Sequence, residues 1–492
     1  MLDFETNYFQ GIDAIDKIAT NPLPEMMPLM KRLFPINRSI TGAGVRQTLD
    51  ILGEGINLTR TRVPTGTKCF DWYVPREWNI RDAYVMSPDG CRVIDFKKSN
   101  IHIVGYSEPV NTHLCLEELQ THLHSLPDYP DAIPYITSYY NKYWGFCISH
   151  NERIKLKDCD YTVCIDSSLE DGYLDYAECD IRGYSGQDIL LSTYTCHPSM
   201  ARNELSGMVL VRTLIELLQK LPRPRIGVRA IFAPETIGCL AFLSNNLAAL
   251  KRRLCAGYVV SCVGDDGPFN YTRSRSGATL ADRAAEHALK HLPIDREVRV
   301  KDFDPVGSDE RQYGSPGINL PVGSILRTRF GEYPEYHTSR DDLSIVSEEG
   351  LQNTLRLYLR VIQVIQMNCR LIRVNPYGEP QLGRRGLYPN LGTACIDDYI
   401  TKTIHLLSYA DGEHDLLFIA EKLNCSIWSL TSILHKLVEA DLIRLNFGSY
   451  GEYLPLGSRS ISNRLQRGKK CRTPWGLRRN QIKRHGSIRV NP

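Results

Sequence analysis

The chain has no C-x-x-C pair, no apolar run of membrane length and almost no net charge. Its fifteen cysteines, an odd number, are scattered from Cys69 to Cys471. Without paired spacing they specify neither a disulfide framework nor a structural zinc knuckle, and they read as reduced, mostly buried thiols. No stretch approaches the roughly 18 apolar residues that a membrane span needs. Residues 1–17 carry Asp3, Glu5, Asp13 and Asp16 where a secretion signal would have its apolar centre. These absences argue against a membrane protein and against a disulfide-stapled secreted one, so the expectation is a cytoplasmic protein with no membrane partner. What is present suits a soluble globular protein: 42% hydrophobic and 23% charged residues in a chain of 492, long enough for roughly two to four domains.

The net charge of +3 hides an asymmetry. Residues 457–492 hold eleven Lys or Arg, no Asp or Glu, and Trp475 as the single aromatic, so the rest of the chain is mildly acidic. A tail without periodicity reads as a solvated, disordered extension; the alternative is contact with nucleic acid or another anionic surface.

The clearest local pattern surrounds Y-T-C-H-P-S-M-A-R-N-E-L-S-G, residues 194–207. Residues 189–194 form an apolar run bounded by Gly186 and Pro198, which predicts a short buried strand with His197 just beyond its carboxyl end. Leu205, Met208, Val209, Val211, Leu214, Ile215, Leu217 and Leu218 then recur at helical spacing, and small Ser206 and Gly207 allow that helix to pack closely. Strands at 227–233 and 257–263 alternate with helices at 207–221, 238–250, 278–291 and 348–366, the pattern of a parallel or mixed sheet covered by helices. Earlier, 70–167 holds short aromatic-rich runs (70–74, 92–96, 101–106, 144–148 and 161–165) between Pro and Gly turns, and reads as a β-rich insert. The polar loop 37–44, with Arg38, Ser39 and Thr41, is either a capped helix start or part of a pocket wall.

Past Pro376, helices at 397–410, 415–423 and 426–439 precede strands at 442–445 and 450–454, a winged-helix order. Its third helix offers a DNA groove only His435 and Lys436 beside small hydroxyls, and it carries Glu439. A structural or protein-contact role fits that face better than nucleic-acid binding.

Chemistry concentrates in loops that follow the strands. His197 follows the first, P-E-T-I-G places Glu235 after the second, and Asp265 and Asp266 come after the third. Y-P-E-Y-H-T-S-R-D-D brings His337 in late. Ligands of open α/β sheets bind at the carboxyl ends of strands. Two histidines and carboxylates converging there suit zinc, with one glutamate free to take a proton from water. Each histidine alone is equally a capping or hydrogen-bonded loop residue. A Cys196–His197 nucleophile pair is disfavoured, because neighbours on an extended chain point to opposite faces.

In order along residues 1–456, the segments F-P-I-N-R-S-I-T-G, F-D-W-Y-V-P-R-E-W, I-P-Y-I-T-S-Y-Y, T-Y-T-C-H-P-S-M-A, N-E-L-S-G, A-P-E-T-I-G, G-S-D-E-R-Q-Y and Y-H-T-S-R-D-D-L resemble those of bacterial aminopeptidase-like proteins. These are often labelled polysaccharide-biosynthesis proteins, and their central layer resembles zinc aminopeptidases of the leucine-aminopeptidase type. The resemblance implies an α/β fold with a zinc-aminopeptidase-like mixed sheet flanked by helices, an inserted β-rich domain and a C-terminal winged helix. The corresponding boundaries are 1–69 with 168–372, then 70–167, 376–456 and the basic tail 457–492. It further implies His197 and His337 as metal ligands, Glu235 as general base and Asp309 as an aspartate that orients ligand or water.

Three departures separate the chain from a two-zinc site. Asn203 stands where a bridging aspartate is found, Thr236 where a second glutamate follows the base, and Ser261 and Cys262 near a further aspartate ligand. The expectation is therefore one zinc ion rather than two, held by His197, His337 and Asn203 or a nearby carboxylate. The expected function is hydrolysis of an amide in a small peptide or aminoacylated metabolite. In that reading Arg76, Tyr139, Tyr140 and Trp144 of the insert shape the pocket, and a homo-oligomer is possible. The alternatives are an amidase, deacylase or acyl-transfer enzyme acting on an amino-sugar or nucleotide-linked precursor, and a catalytically degenerate fold that binds or regulates.

Overall fold

Residues Asp188–Tyr194 are buried at every position, as expected of a strand covered on both faces. In the computed structural model, which describes residues 2–293, 296–387 and 398–448, this strand lies near the middle of an eight-stranded mixed sheet. In chain order the strands are β1 Thr59–Pro64, β2 Tyr173–Ile181, β3 Asp188–Tyr194, β4 Gly227–Ala233, β5 Leu254–Val259, β6 Phe269–Thr272, β7 Val298–Lys301 and β8 Val322–Leu326. Their spatial order is β1-β2-β4-β3-β5-β8-β6-β7. The central four, β4, β3, β5 and β8, run parallel, so their carboxyl ends open along one edge. Antiparallel β1 and β2 extend one side, and β6 pairs antiparallel with β8 on the other.

Helices Ser206–Gln219, Ile237–Arg253, Leu280–His291 and Glu348–Met367 flank the sheet, close to the expected spans. The first packs closely because Gly207 has no side chain: a Cβ there would lie 2.3 Å from the carbonyl oxygen of Val260. A π-helical turn, Ala201–Leu205, precedes it, a widened geometry that recurs at functional sites. The third expected strand, at 257–263, is instead β5 at Leu254–Val259, and residues 260–263 are irregular. Apolarity alone cannot separate a strand end from the buried loop that continues it.

Between β1 and β2 the chain builds an antiparallel sheet from Arg92–Asp95, Glu77–Met86, Tyr161–Glu170 and Val110–Leu114, in that order across the sheet. The expected strand at 101–106 is instead a short 3-10 turn, Asn100–His102, followed by isolated bridges from Ile103 and Gly105. This insert has no separate core. Its Val85, Ile94, Val163 and Ile165 belong to one buried cluster with Leu190, Ile231 and Phe242 of the central layer. The insert is thereby fixed over the sheet edge.

The first helix, Leu2–Thr20, packs along Glu348–Met367. Sequence periodicity does not single it out. Helices Asp398–Ser408, Leu416–Lys422 and Thr431–Glu439 form the C-terminal winged helix with a three-stranded sheet, Asp411–Asp415, Arg370–Arg373 and Ile443–Asn446. Arg370–Arg373 is the central strand of that sheet, so the strand belongs to the C-terminal unit rather than to the layer before it. The imidazole of His435, on the third helix, packs 4.4 Å from the ring of Phe9, which turns part of that face inward. The expected strand at 450–454 and the basic tail 457–492 lie outside the described residues. Among the described residues, no helix is long and apolar enough to cross a membrane.

Candidate functional site

Four loops leaving the carboxyl ends of the parallel strands converge. His197 follows β3, Glu235 follows β4, Cys262 follows β5 and His337 follows β8. Four of the ten non-glycine residues with positive φ among the described residues lie in or beside these loops: Ser199, Thr236, Cys262 and His337. Strained backbone of this kind persists where surrounding structure imposes it, commonly at functional sites.

His197 is buried and held through Nδ1. Nδ1 lies 2.6 Å from Glu204 Oε2, and Nε2 faces Glu235 Oε2 at 3.7 Å. Burial alone would lower the imidazole pKa; the hydrogen bond and charge of Glu204, with Glu235 behind them, outweigh it and raise it. Glu204 is fully buried. The same Oε2 accepts the peptide N–H groups of His197 at 2.6 Å and Cys196 at 2.7 Å, and Oε1 accepts from Arg38 Nε at 3.1 Å. Arg38 also donates to the carbonyl oxygens of His197 and Leu33. The polar loop 37–44 thus supplies a buried cation that fixes the base of the site.

His337 stacks on Tyr336 at 3.9 Å and lies 5.2 Å, ring to ring, from His197. Burial and the neighbouring charge of His197 push its pKa down to about 3, so it is a neutral imidazole. The amide nitrogen of Asn203 lies 3.4 Å from His337 Nε2. The backbone around Asn203 is held by Asp341, whose carboxylate accepts the N–H groups of Arg202 at 2.6 Å and Asn203 at 3.1 Å. Burial raises the Asp341 carboxyl to about 6 despite those donors.

Glu235 is partly exposed and accepts from Ser308 Oγ at 2.8 Å. Asp309 accepts the N–H of Thr236 at 2.8 Å and so pins the loop that carries Glu235. Burial, then the charge of Glu235, raise the Asp309 carboxyl well above its usual value. The sequence candidates His197, Asn203, Glu235, Asp309 and His337 are therefore brought together.

The other candidates, Tyr139 excepted, are not. Asp265 is bound to Gly267 and Thr328, and Asp266 to Ser347. Of the insert residues, Trp144 stacks on His122, and Arg76 pairs with Asp171 at an exposed position. Tyr140 donates to the Tyr73 carbonyl. Tyr139 does reach the site, through a 3.4 Å contact with the hydroxyl of Tyr135. Tyr135 packs against both imidazoles at 5.3 Å, and its peptide N–H donates to the His337 carbonyl at 2.8 Å. Tyr135, Glu204 and Arg38 carry no recognisable spacing signal. Tyr135 and Glu204 were marked only by their position in the resembling segments, and Arg38 also by its place in the polar loop 37–44.

The expectation that Cys196 and His197 point apart fails: Cys196 Sγ lies 3.4 Å from His197 Nδ1. Residues beyond 194 have left the strand, so two-residue alternation no longer applies. Burial, then Glu204 and Glu235, push the thiol well up, which leaves it unreactive. Cys196, His197 and Glu204 are close enough to share an ion, but the guanidinium of Arg38 already occupies Glu204. This trio is a buttress.

The donors on the open side, two imidazoles and an amide, are of the kind that hold a borderline cation. Ligands around a tetrahedral zinc at 2.0–2.1 Å are about 3.3 Å apart. The spacing of 3.4 Å between Asn203 and His337 is close to that value, while Glu235, at 3.7 Å from His197 Nε2, stands in the position of a base beside the donors. Glu204 at Nδ1 leaves His197 Nε2 for the ion, the usual arrangement of a ligating imidazole backed by a carboxylate. Turning the Asn203 amide would present its oxygen. Thr236 and Cys262 stand at the site without offering a carboxylate.

Residues 27–368 match a family described as a domain of unknown function (DUF4910), and residues 370–445 match a winged helix-turn-helix family. A Clostridium acetobutylicum protein, provisionally named a polysaccharide biosynthesis protein with an aminopeptidase-like domain, is 45% identical over 424 residues, 86% of this chain and 96% of its own length. A crystal structure from the same organism, provisionally described as a peptidase, is 42% identical with a TM-score of 0.79, and the match covers 90% of this chain and 100% of that one. The Bacillus subtilis zinc aminopeptidase BSAP shares the fold at 11% identity, with a TM-score of 0.50 over 70% of this chain and 95% of its own.

Proposed function

The chain belongs to the family described as a domain of unknown function (DUF4910), built on an aminopeptidase-like fold with a C-terminal winged helix, and from that premise we propose that it is a zinc-dependent hydrolase of an amide bond in a small peptide or aminoacylated metabolite. The observation that carries this reading is the convergence of His197, His337 and Asn203 on one side of Glu235 at the carboxyl edge of the sheet.

His197 Nε2, His337 Nε2 and the Asn203 amide would hold one zinc ion. Such an ion polarises a carbonyl and makes water a nucleophile near neutral pH. The residues do the rest. Glu235, oriented by Ser308, takes a proton from the attacking water and delivers it to the leaving nitrogen as the C–O bond forms and the C–N bond breaks. Asp309 positions Glu235 by holding the N–H of Thr236. Glu204 and Arg38 keep His197 turned toward the substrate side, and Tyr135 walls the site off from water.

The other substrate class is an amide on an amino-sugar or nucleotide-linked precursor, a reading compatible with the polysaccharide biosynthesis in the relative's name. One panel separates the two: aminoacyl anilides and dipeptides against N-acyl amino sugars, at a fixed zinc concentration. Glu235→Gln should lower turnover of whichever amide is cleaved by about 10²–10⁴-fold. Unchanged turnover in that variant would remove Glu235 from the chemistry.

A further inference from the structure

Among the described residues two arginines are fully buried, and they differ in their partners. Arg38 meets Glu204 at 3.1 Å. Arg327, the first residue after β8, is 0% exposed, and none of its Nε, Nη1 and Nη2 atoms has a hydrogen-bond partner. Its guanidinium lies 4.1 Å over the ring of Phe269, and its peptide N–H is committed to the Cys262 carbonyl at 2.8 Å. The acids that influence it most, Asp265 and Asp266, are engaged elsewhere, with Thr328 and Gly267 and with Ser347. A buried charge with no hydrogen bond is costly, and native structures rarely leave one uncompensated.

Arg327 lines a cavity of ≈ 320 Å³ together with Phe269, Arg296, Glu349, Asn353 and Arg356. Three of these side chains are arginines, and exposed Glu349 is the single acid among the described lining residues. Arg356 is tethered by Nε to the Ala19 carbonyl and by Nη1 to Asn353 Oδ1, which fixes a second guanidinium beside the cavity. None of the lining residues belongs to the cluster around His197. We propose that this cavity is a separate oxyanion site, in which the fork of Arg327, flanked by Arg356 and Arg296, takes a phosphoryl or carboxylate group of a small molecule. The planar fork matches two oxygens of either group, and the ring of Phe269 beneath it holds its orientation. The guanidinium is closed off from bulk water, so a lining side chain must move before an anion reaches it.

Thermal unfolding of the full chain at constant pH and ionic strength tests this, with inorganic phosphate, acetate or chloride titrated separately. Binding to the folded state raises the midpoint in a saturable way. The expected result is a saturable rise with phosphate or acetate and none with chloride; whichever oxyanion acts at lower concentration identifies the group. Arg327→Met, which keeps the apolar stem, should abolish the rise, and Arg356→Met should shift its half-point by about tenfold. If Arg327→Met does not fold, the Arg296→Met/Arg356→Met pair decides, with a shift of at least about tenfold expected. No saturable rise with either oxyanion, or the same rise in the variants, overturns the proposal.

Discussion

Oε2 of Glu204 lies 2.6 Å from Nδ1 of His197, and this contact decides which nitrogen of the imidazole faces the pocket. The same carboxylate is tied to Arg38 at 3.1 Å, so the orientation of His197 depends on a buried ion pair that itself never touches the open side. Glu204→Gln keeps the shape and loses the charge. It should weaken zinc binding by about 10–100-fold, read by competition with a chromophoric chelator, while the fold persists. Glu204→Ala should also destabilise the chain by about 3–5 kcal/mol, because it strands the Arg38 guanidinium. Equal zinc affinity in wild type and Glu204→Gln would mean that Glu204 has no bearing on the ion.

Asn203→Asp restores a carboxylate beside His337. The added charge stands near Asp341, whose carboxyl is already raised to about 6, so the zinc-free variant should unfold at a lower temperature than wild type. Zinc should reverse that loss, and affinity should rise by at least about tenfold as the ligand charge grows. Paired melting curves with and without zinc read both effects. A variant destabilised equally in both conditions would place residue 203 outside the ion's reach.

The winged helix is held on the central layer by Asp415, which accepts from Arg283 at 2.8 and 3.0 Å, from Asn368 at 3.0 Å and from the N–H of Phe418 at 2.7 Å. Burial would raise this carboxyl, but Arg283 and the other donors hold it below its usual value near 3.8. Its stabilising contribution is therefore complete above the unfolded value and is lost as pH falls through the lower folded one. Asp415→Asn should cost about 3–5 kcal/mol near neutral pH. The difference from wild type should shrink below about pH 4. A pH-independent difference in denaturant midpoints would contradict this.

The central layer was readable because its strands are apolar runs and its helices keep a clean period; the helix Glu348–Met367 and the strand Gly227–Ala233 fall almost where the pattern puts them. Strands with half-exposed, charged faces, such as Thr59–Pro64 and Val298–Lys301, gave no such signal, since their pairing partners are distant in sequence. His197 and Glu235 could be named because each follows an apolar strand, whereas Asn203 and Asp309 were marked only by the family resemblance. What the sequence concealed is tertiary. Arg38 and Glu204 are 166 residues apart, and nothing local in R-S-I-T-G announces a buried cation. Cys196 shows the converse error: a strand rule extended two residues past the strand's end.

The central claim is that His197 and His337 hold one zinc ion. It is tested most directly by calorimetric zinc titration of the metal-stripped full chain, wild type beside His337→Ala. The account predicts one equivalent bound by wild type and a loss of at least about 100-fold in affinity for the variant. Absence of zinc binding by wild type, or an unchanged isotherm for His337→Ala, would contradict it.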